Sequence, residues 1–255
     1  MKNRVCEVLG IEKPIIQGPC NWLTNAELVG AISKAGGLGV LGFNAGQQDL
    51  VYTAEETIER MRAEIKKVRK ITTNPIGLNL AASVDFAKDL FTEPMLDLMV
   101  EEKVPVAVMV GDVNAELFSK FRDKGIKVVF RATNPTAKNT REAVKAGADI
   151  IVATGFDEGG TLPEKGIGTF SIVPLIVDAA KGKVPVMAAG GIADERGAKA
   201  AFALGADGLF VGTALLLSQE SPLADNIKEM AIKADADDLY QHFIDLYQVN
   251  YLINY

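Results

Sequence analysis

The residues best suited to chemistry in this chain lie in three glycine-rich stretches. Ala188-Ala189-Gly190-Gly191-Ile192-Ala193-Asp194 and Val211-Gly212-Thr213-Ala214 each follow an apolar run and precede a helix-like segment. Paired glycines let backbone amides approach an anion without a Cβ in the way, and amides at a helix start point toward it. Two such turns in succession suit one phosphate group, although glycines also simply turn a chain. Asp194 is placed to cap the helix that follows it. The third stretch, Thr154-Gly155-Phe156-Asp157-Glu158-Gly159-Gly160-Thr161-Leu162-Pro163, combines glycine with two carboxylates. It suits close backbone approach to a ligand, and a mobile surface loop would have the same composition.

Nearer the N-terminus, Gln17-Gly18-Pro19-Cys20-Asn21-Trp22 offers Gly18 and Pro19 as a surface for a planar ring. Trp22 reads as packing and Cys20 as a small buried hydrophobe, with a thiol that could sit near a redox ring. Asn79 interrupts an apolar run and needs a partner, either a ligand or a neighbouring backbone group. His242 is the single histidine, and Cys6 and Cys20 are the only cysteines. Neither a metal site nor a disulfide framework is expected from that set.

These stretches need a scaffold that carries them at one end. A helix-like segment, a glycine or small-residue stop and a short β-branched run recur along the chain, as in Lys145-Ala146-Gly147-Ala148 before 149–153. Glycine ends a helix at low steric cost, and a short continuous apolar run suits a strand covered on both faces. Eight strand candidates result, at 15–17, 38–41, 76–80, 104–110, 126–130, 149–153, 184–189 and 207–211. Thr24-Asn25-Ala26-Glu27 and Thr53-Ala54-Glu55-Glu56 read as capping boxes of two intervening helices. Strand and helix in alternation imply a parallel sheet, and eight units in this length favour a closed (β/α)8 TIM barrel. The barrel is expected over 1–234, with a short helical C-terminal segment over 235–255. In such barrels, loops after the strand C-termini carry function, and phosphate often binds after the last two strands.

The chain has 255 residues, 48% hydrophobic and 24% charged, with a formal net charge of −6. That balance suits one large core and argues against nucleic acid as a partner. No apolar stretch reaches the roughly 20 residues that a bilayer span needs. A cytoplasmic enzyme acting on a small-molecule substrate is the expectation, with a homodimer as the candidate assembly.

The segments PIIQGP, LVGAISKAGGLGVLG, PIGLNL, GADIIVATGFDEGG, TFSIVPLIVDA and VPVMAAGGIADERGAKAAFALGADGLFVGTALLLSQES follow one another from Pro14 to about Ser221. Together they resemble the nitronate monooxygenase family (older name 2-nitropropane dioxygenase), which includes the FMN-dependent type II enoyl-acyl-carrier-protein reductases. The resemblance implies FMN at the barrel mouth. Gln17, Gly18 and Pro19 would lie at the isoalloxazine and Asn79 at its polar edge. Thr154 takes a position where the family often has Gln or Glu. Gly159 and Gly160 would border the cofactor, and Ala189, Gly190, Gly191, Gly212 and Thr213 would hold its phosphate.

One departure bears on mechanism. The family's strand-six loop reads Glu-Ala-Gly-Gly-His, and its histidine supplies acid/base chemistry; here the aligned residues are Asp157-Glu158-Gly159-Gly160-Thr161. A threonine hydroxyl is no base near neutral pH. Thr161 and Glu158 are therefore the candidate catalytic residues. Oxidation of nitronates and nitroalkanes with dioxygen is the first expectation, and NAD(P)H-dependent enoyl-thioester reduction is the alternative. A barrel that binds flavin without the family's turnover is the reading from another class.

Overall fold

The computed structural model describes residues 3–47, 49, 51, 53–82, 90–244 and 247–252. All eight expected strands form: β1 (Ile15–Gln17), β2 (Gly39–Leu41), β3 (Ile76–Ala82), β4 (Val106–Gly111), β5 (Lys127–Ala132), β6 (Ile150–Thr154), β8 (Val186–Ala189) and β9 (Gly208–Val211). They pair in parallel in the order β1-β9-β8-β6-β5-β4-β3-β2. A bridge between Ile16 and Leu38 closes the ring, with the Gln17 amide donating to the Leu38 carbonyl at 2.9 Å. The expected (β/α)8 barrel is the architecture.

Side chains alternate across each strand, so two apolar layers form. Ile16, Val40, Val108, Val129, Val152, Met187 and Phe210 fill the barrel interior, joined by Val5, Leu9 and Ile11 from α1 (Arg4–Leu9) and the chain after it. Asn3 donates to the Asp207 carbonyl just before β9, so α1 covers the end where the strands begin. The opposite end is the mouth. Residues of opposite parity, among them Leu80, Met109, Phe130, Ile151 and Ala188, pack under the surrounding helices. Those helices are α2 (Ala26–Lys34), α3 (Ala54–Ile71), α4 (Thr92–Glu101), α5 (Ala115–Asp123), α6 (Ala137–Ala146), α7 (Thr169–Ala180) and α8 (Glu195–Ala203).

Thr53 caps α3 through the Glu56 amide, as expected, and Asp194 caps α8 through the Arg196 and Gly197 amides. The first capping box shifts by one residue. Asn25 rather than Thr24 caps α2, because the Thr24 hydroxyl is used on the Cys20 carbonyl at 3.1 Å.

The C-terminal segment departs from expectation. After α9 (Thr213–Leu216) and α10 (Asp225–Lys233), a 3-10 turn at Ala236–Asp238 leads into two antiparallel strands, β10 (Leu239–Ile244) and β11 (Tyr247–Leu252). The helix expected over 235–255 is therefore a hairpin in the described residues. Aromatic and β-branched residues dominate it (Tyr240, Phe243, Ile244, Tyr247, Val249, Tyr251), and these favour strands. It also has a partner: β11 pairs with a two-residue strand in the long loop after β6, β7 (Gly160–Thr161), in the register Val249–Thr161 and Asn250–Gly160. His242 lies on β10 opposite Val249, not on a helix.

Candidate active site at the barrel mouth

The strand-six loop is held down by its neighbours. The Gly155 amide donates to the Ala189 carbonyl at 2.9 Å, and the Phe156 amide to the Ile167 carbonyl at 2.9 Å. Its two carboxylates then part. Asp157 accepts from the Thr169 amide at 2.5 Å and so caps α7, whose own N-cap residue, Gly168, has no side chain. The Thr169 hydroxyl in turn donates to the Gly190 carbonyl at 3.0 Å. Asp157 therefore works for the fold, tying the strand-six loop to the turn after β8.

Glu158 turns instead to Arg131, near the end of β5, with which it forms a close ion pair. Arg131 shares the parity of Val129 and so points into the mouth; its Nε donates to the Thr154 hydroxyl at 3.2 Å. The pair is largely out of water, with Arg131 and Glu158 side chains 15% and 12% exposed. Burial pushes the Glu158 carboxyl up to about 7, against the attraction of the Arg131 guanidinium, which lowers it. Desolvation wins here because it penalises the charged form more than one neighbouring cation rewards it. Cys20 sits in the same electrostatic neighbourhood. Burial raises its thiol to about 11, opposed in part by Arg131, and its Sγ donates to the Gly18 carbonyl at 3.7 Å. It is a protonated thiol, not a nucleophile.

Arg131 is the functional residue absent from the sequence reading. The strand expected over 126–130 stops one residue short of it, and β5 in fact runs to Ala132. A cation closing an otherwise apolar barrel strand was the available signal.

The other candidate residues divide by what surrounds them. Gln17 is buried, its amide oxygen accepting from the Val40 amide at 3.0 Å and its nitrogen donating to the Gly18 carbonyl at 2.5 Å. It bridges β1 and β2 where the barrel closes. Asn79 is partly buried and donates to the Val108 carbonyl at 3.1 Å, which answers the need for a backbone partner. A Cβ at Gly18 would come within 2.9 Å of the Phe210 ring. Pro19 follows on the mouth side of β1, and Thr154 is buried at the end of β6. Thr161 is exposed on β7, and Gly159 lies beside Thr213.

The two glycine turns differ in the same way. Gly190 and Gly191 have φ of 102° and 66°, in the left-handed region. A Cβ at Gly190 would meet the Thr169 hydroxyl at 2.9 Å, so protein packing already demands glycine there. Gly212 has a φ of −102°, and a Cβ on it would meet nothing within 4 Å. It faces open space at the start of α9. This open, Cβ-free turn after the last barrel strand, followed by Thr213, has room for a phosphate group. The open turn at Gly212 is compatible with the phosphate of a cofactor such as FMN. A cavity of about 120 Å³ opens alongside, between Asn134 and Thr136 after β5 and Pro163 and Lys165 after β7, and reaches Thr154. No helix among the described residues is long and apolar enough to cross a membrane.

With this geometry in hand, comparison with known proteins is informative. The nitronate monooxygenase family model matches residues 2–242. The chain is 33% identical to the (3aS,4S,5R,7aS)-5-hydroxy-7a-methyl-1-oxo-octahydro-1H-indene-4-carboxyl-CoA dehydrogenase of Mycobacterium tuberculosis over 239 residues, covering 93% of this chain and 62% of that protein. It thus spans about three fifths of that relative's length. It is 35% identical to the nitronate monooxygenase of Pseudomonas aeruginosa over 262 residues, 87% of this chain and 71% of that one. The structure of FabK from Thermotoga maritima superposes with a TM-score of 0.84 at 31% identity, over 99% of this chain and 75% of that chain. The chain belongs to the nitronate monooxygenase family.

Proposed function

We propose that this protein is an FMN-dependent oxidoreductase that oxidises nitronates and nitroalkanes with dioxygen. The observation that carries the reading is Arg131, a cation largely out of water at the mouth, on the same rim as the open cradle at Gly212. A guanidinium carries N–H donors beyond those that Nε and Nη2 give to Thr154 and Glu158, and such a donor suits an oxygen of a nitronate anion. The backbone at Gly191, Gly212 and Thr213 would hold the phosphate, and Gly18, packed against Phe210, would lie toward the flavin ring. Bound there, FMN would supply the capacity to take two electrons from the substrate and return them to dioxygen. The protein's part is to bind and orient the anion at Arg131, whose guanidinium it would share with Glu158. The cavity reaching Thr154 gives the alkyl arm a place to lie. The test is anaerobic addition of propyl-2-nitronate to the flavin-loaded protein. Bleaching of the flavin band, reversed by air, is expected, and an unchanged spectrum removes nitronate oxidation.

A second reading has its own support. The match to the indene-carboxyl-CoA dehydrogenase needs 239 aligned positions for 93% of this chain, so that relative carries few extra residues within the matched region. The match to the Pseudomonas nitronate monooxygenase needs 262 positions for 87% of a 255-residue chain, so that relative carries extra residues within the matched region. Shape at the level of insertions therefore favours redox chemistry on an acyl thioester, with NAD(P)H as the reductant in the reducing direction. Bleaching by NADH, reversed by a crotonyl thioester and barely by air, selects this reading.

A further inference from the structure

We infer that Glu158 is the proton acceptor for carbon acids at this site, with Arg131 as the residue that positions it and pairs with the anion formed. The inference rests on the nitronate-oxidase reading and deepens it, because it names the group that takes the α-proton of a neutral nitroalkane.

The geometry separates the two loop carboxylates. Asp157 is committed to the Thr169 amide at 2.5 Å and holds α7. Glu158, its neighbour in the chain, is drawn inward by Arg131 beside Thr154 and stands at the mouth. It lies three residues before Thr161, which is exposed on β7 and paired with the hairpin. The loop thus places one titratable side chain, Glu158, at the mouth, while Thr161 faces outward.

The step balances without an oxidant. A C–H bond α to the nitro group breaks, its electron pair stays on the substrate as the nitronate, and the proton goes to an oxygen of Glu158. One negative charge moves from the carboxylate to the nitronate. Arg131 faces a single anion before and after, so the site reorganises little. The charged and titratable groups around Glu158 are consistent with a base working near neutrality. β5 brings Arg131, the loop after β1 brings Cys20 as a protonated thiol, and Asp157 is directed to α7. The start of α7 and the turn after β8 bring Thr169 and Gly190, which carry no charge.

The experiment follows α-proton exchange of nitroethane in D2O by NMR, using the flavin-loaded protein under anaerobic conditions and subtracting the buffer rate. Exchange needs no flavin turnover, so its outcome is independent of oxidation. Catalysed exchange that falls as pH drops below about 7 is expected, because the carboxylate is the active form. Glu158→Gln lowers the catalysed rate by roughly a hundredfold while retaining the bound-flavin spectrum. Arg131→Met moves the pH inflection upward, since the guanidinium lowers the Glu158 pKa, a change that a merely structural role would not produce. Asp157→Asn, which keeps the cap on α7, leaves exchange unaltered. Full exchange in Glu158→Gln overturns the inference. Should that variant lose its flavin, a wild-type rate that stays flat through pH 7 overturns it equally. Nitronate oxidation without exchange sinks this inference and spares the oxidase; exchange without nitronate oxidation does the reverse.

Discussion

A methyl group placed at Gly212 and one placed at Gly190 do opposite things. At Gly212 the φ is −102° and the new Cβ meets no protein atom within 4 Å, so Gly212→Ala leaves the fold intact. The methyl group does, however, fill the cradle assigned to the FMN phosphate. Displacing that phosphate by a few tenths of an ångström costs the charge-assisted bonds it receives, each about 1.5–3 kcal/mol. Loss of one such bond weakens FMN binding by roughly ten- to a hundredfold. At Gly190, φ is 102° and the Cβ would sit 2.9 Å from the Thr169 hydroxyl and 3.0 Å from the Gly155 carbonyl. Backbone strain alone costs about 1–3 kcal/mol there, so Gly190→Ala lowers the melting temperature of the flavin-free protein. Fluorescence quenching of FMN on titration gives the affinity, and thermal unfolding of the flavin-free protein gives the fold. Unchanged FMN affinity in Gly212→Ala, at unchanged stability, would refute the assignment of this turn as the phosphate seat.

Gln17→Leu leaves the Val40 amide unpaired where the barrel closes and destabilises the fold by about 1–3 kcal/mol, measured by urea unfolding; a neutral result would show that the β1–β2 seam does not depend on this amide. Thr161→His brings no gain in nitroalkane oxidation, because position 161 is exposed on β7 whereas the Arg131–Glu158 pair is largely out of water; a large gain would return the acid/base role to this position. Glu158 also makes stability depend on pH. Its carboxyl is raised in the folded state from an ordinary 4.5 to about 7, so the folded protein holds a proton that the unfolded chain releases. Its contribution to stability is complete below pH 4.5 and is lost as pH rises through about 7. The stability difference between wild type and Glu158→Gln should shift against wild type across that window; a difference independent of pH speaks against the buried carboxyl.

Several features were legible in the sequence because their causes are local. A glycine at a helix end and a β-branched run after it act within a few residues, which is why all eight barrel strands could be found from residue order alone. Asp194 capping α8 and Thr53 capping α3 are equally local. The glycine turns could be located for the same reason, but not sorted. That Gly190 is required by Thr169 and Gly155, while Gly212 faces open space, depends on neighbours distant in the chain. That Gln17 ties β1 to β2 was not legible either, because its partner, Val40, is brought to it only when the ring closes.

The C-terminal segment shows the limit of periodicity. Helical spacing over 235–255 competed with strand-forming residue types, and the free edge of β7 gave a strand something to pair with. The site shows it more sharply. The strand-six loop, its glycines, its two adjacent carboxylates and the absent histidine are all properties of residue order, and sequence alone was enough to establish them. Which carboxylate serves the fold and which stands at the mouth was decided by tertiary structure. Asp157 and Glu158 are alike in chemistry and adjacent in the chain. One meets the unpaired amide at the start of α7 and the other meets Arg131 from β5, and those partners exist only once the barrel has closed.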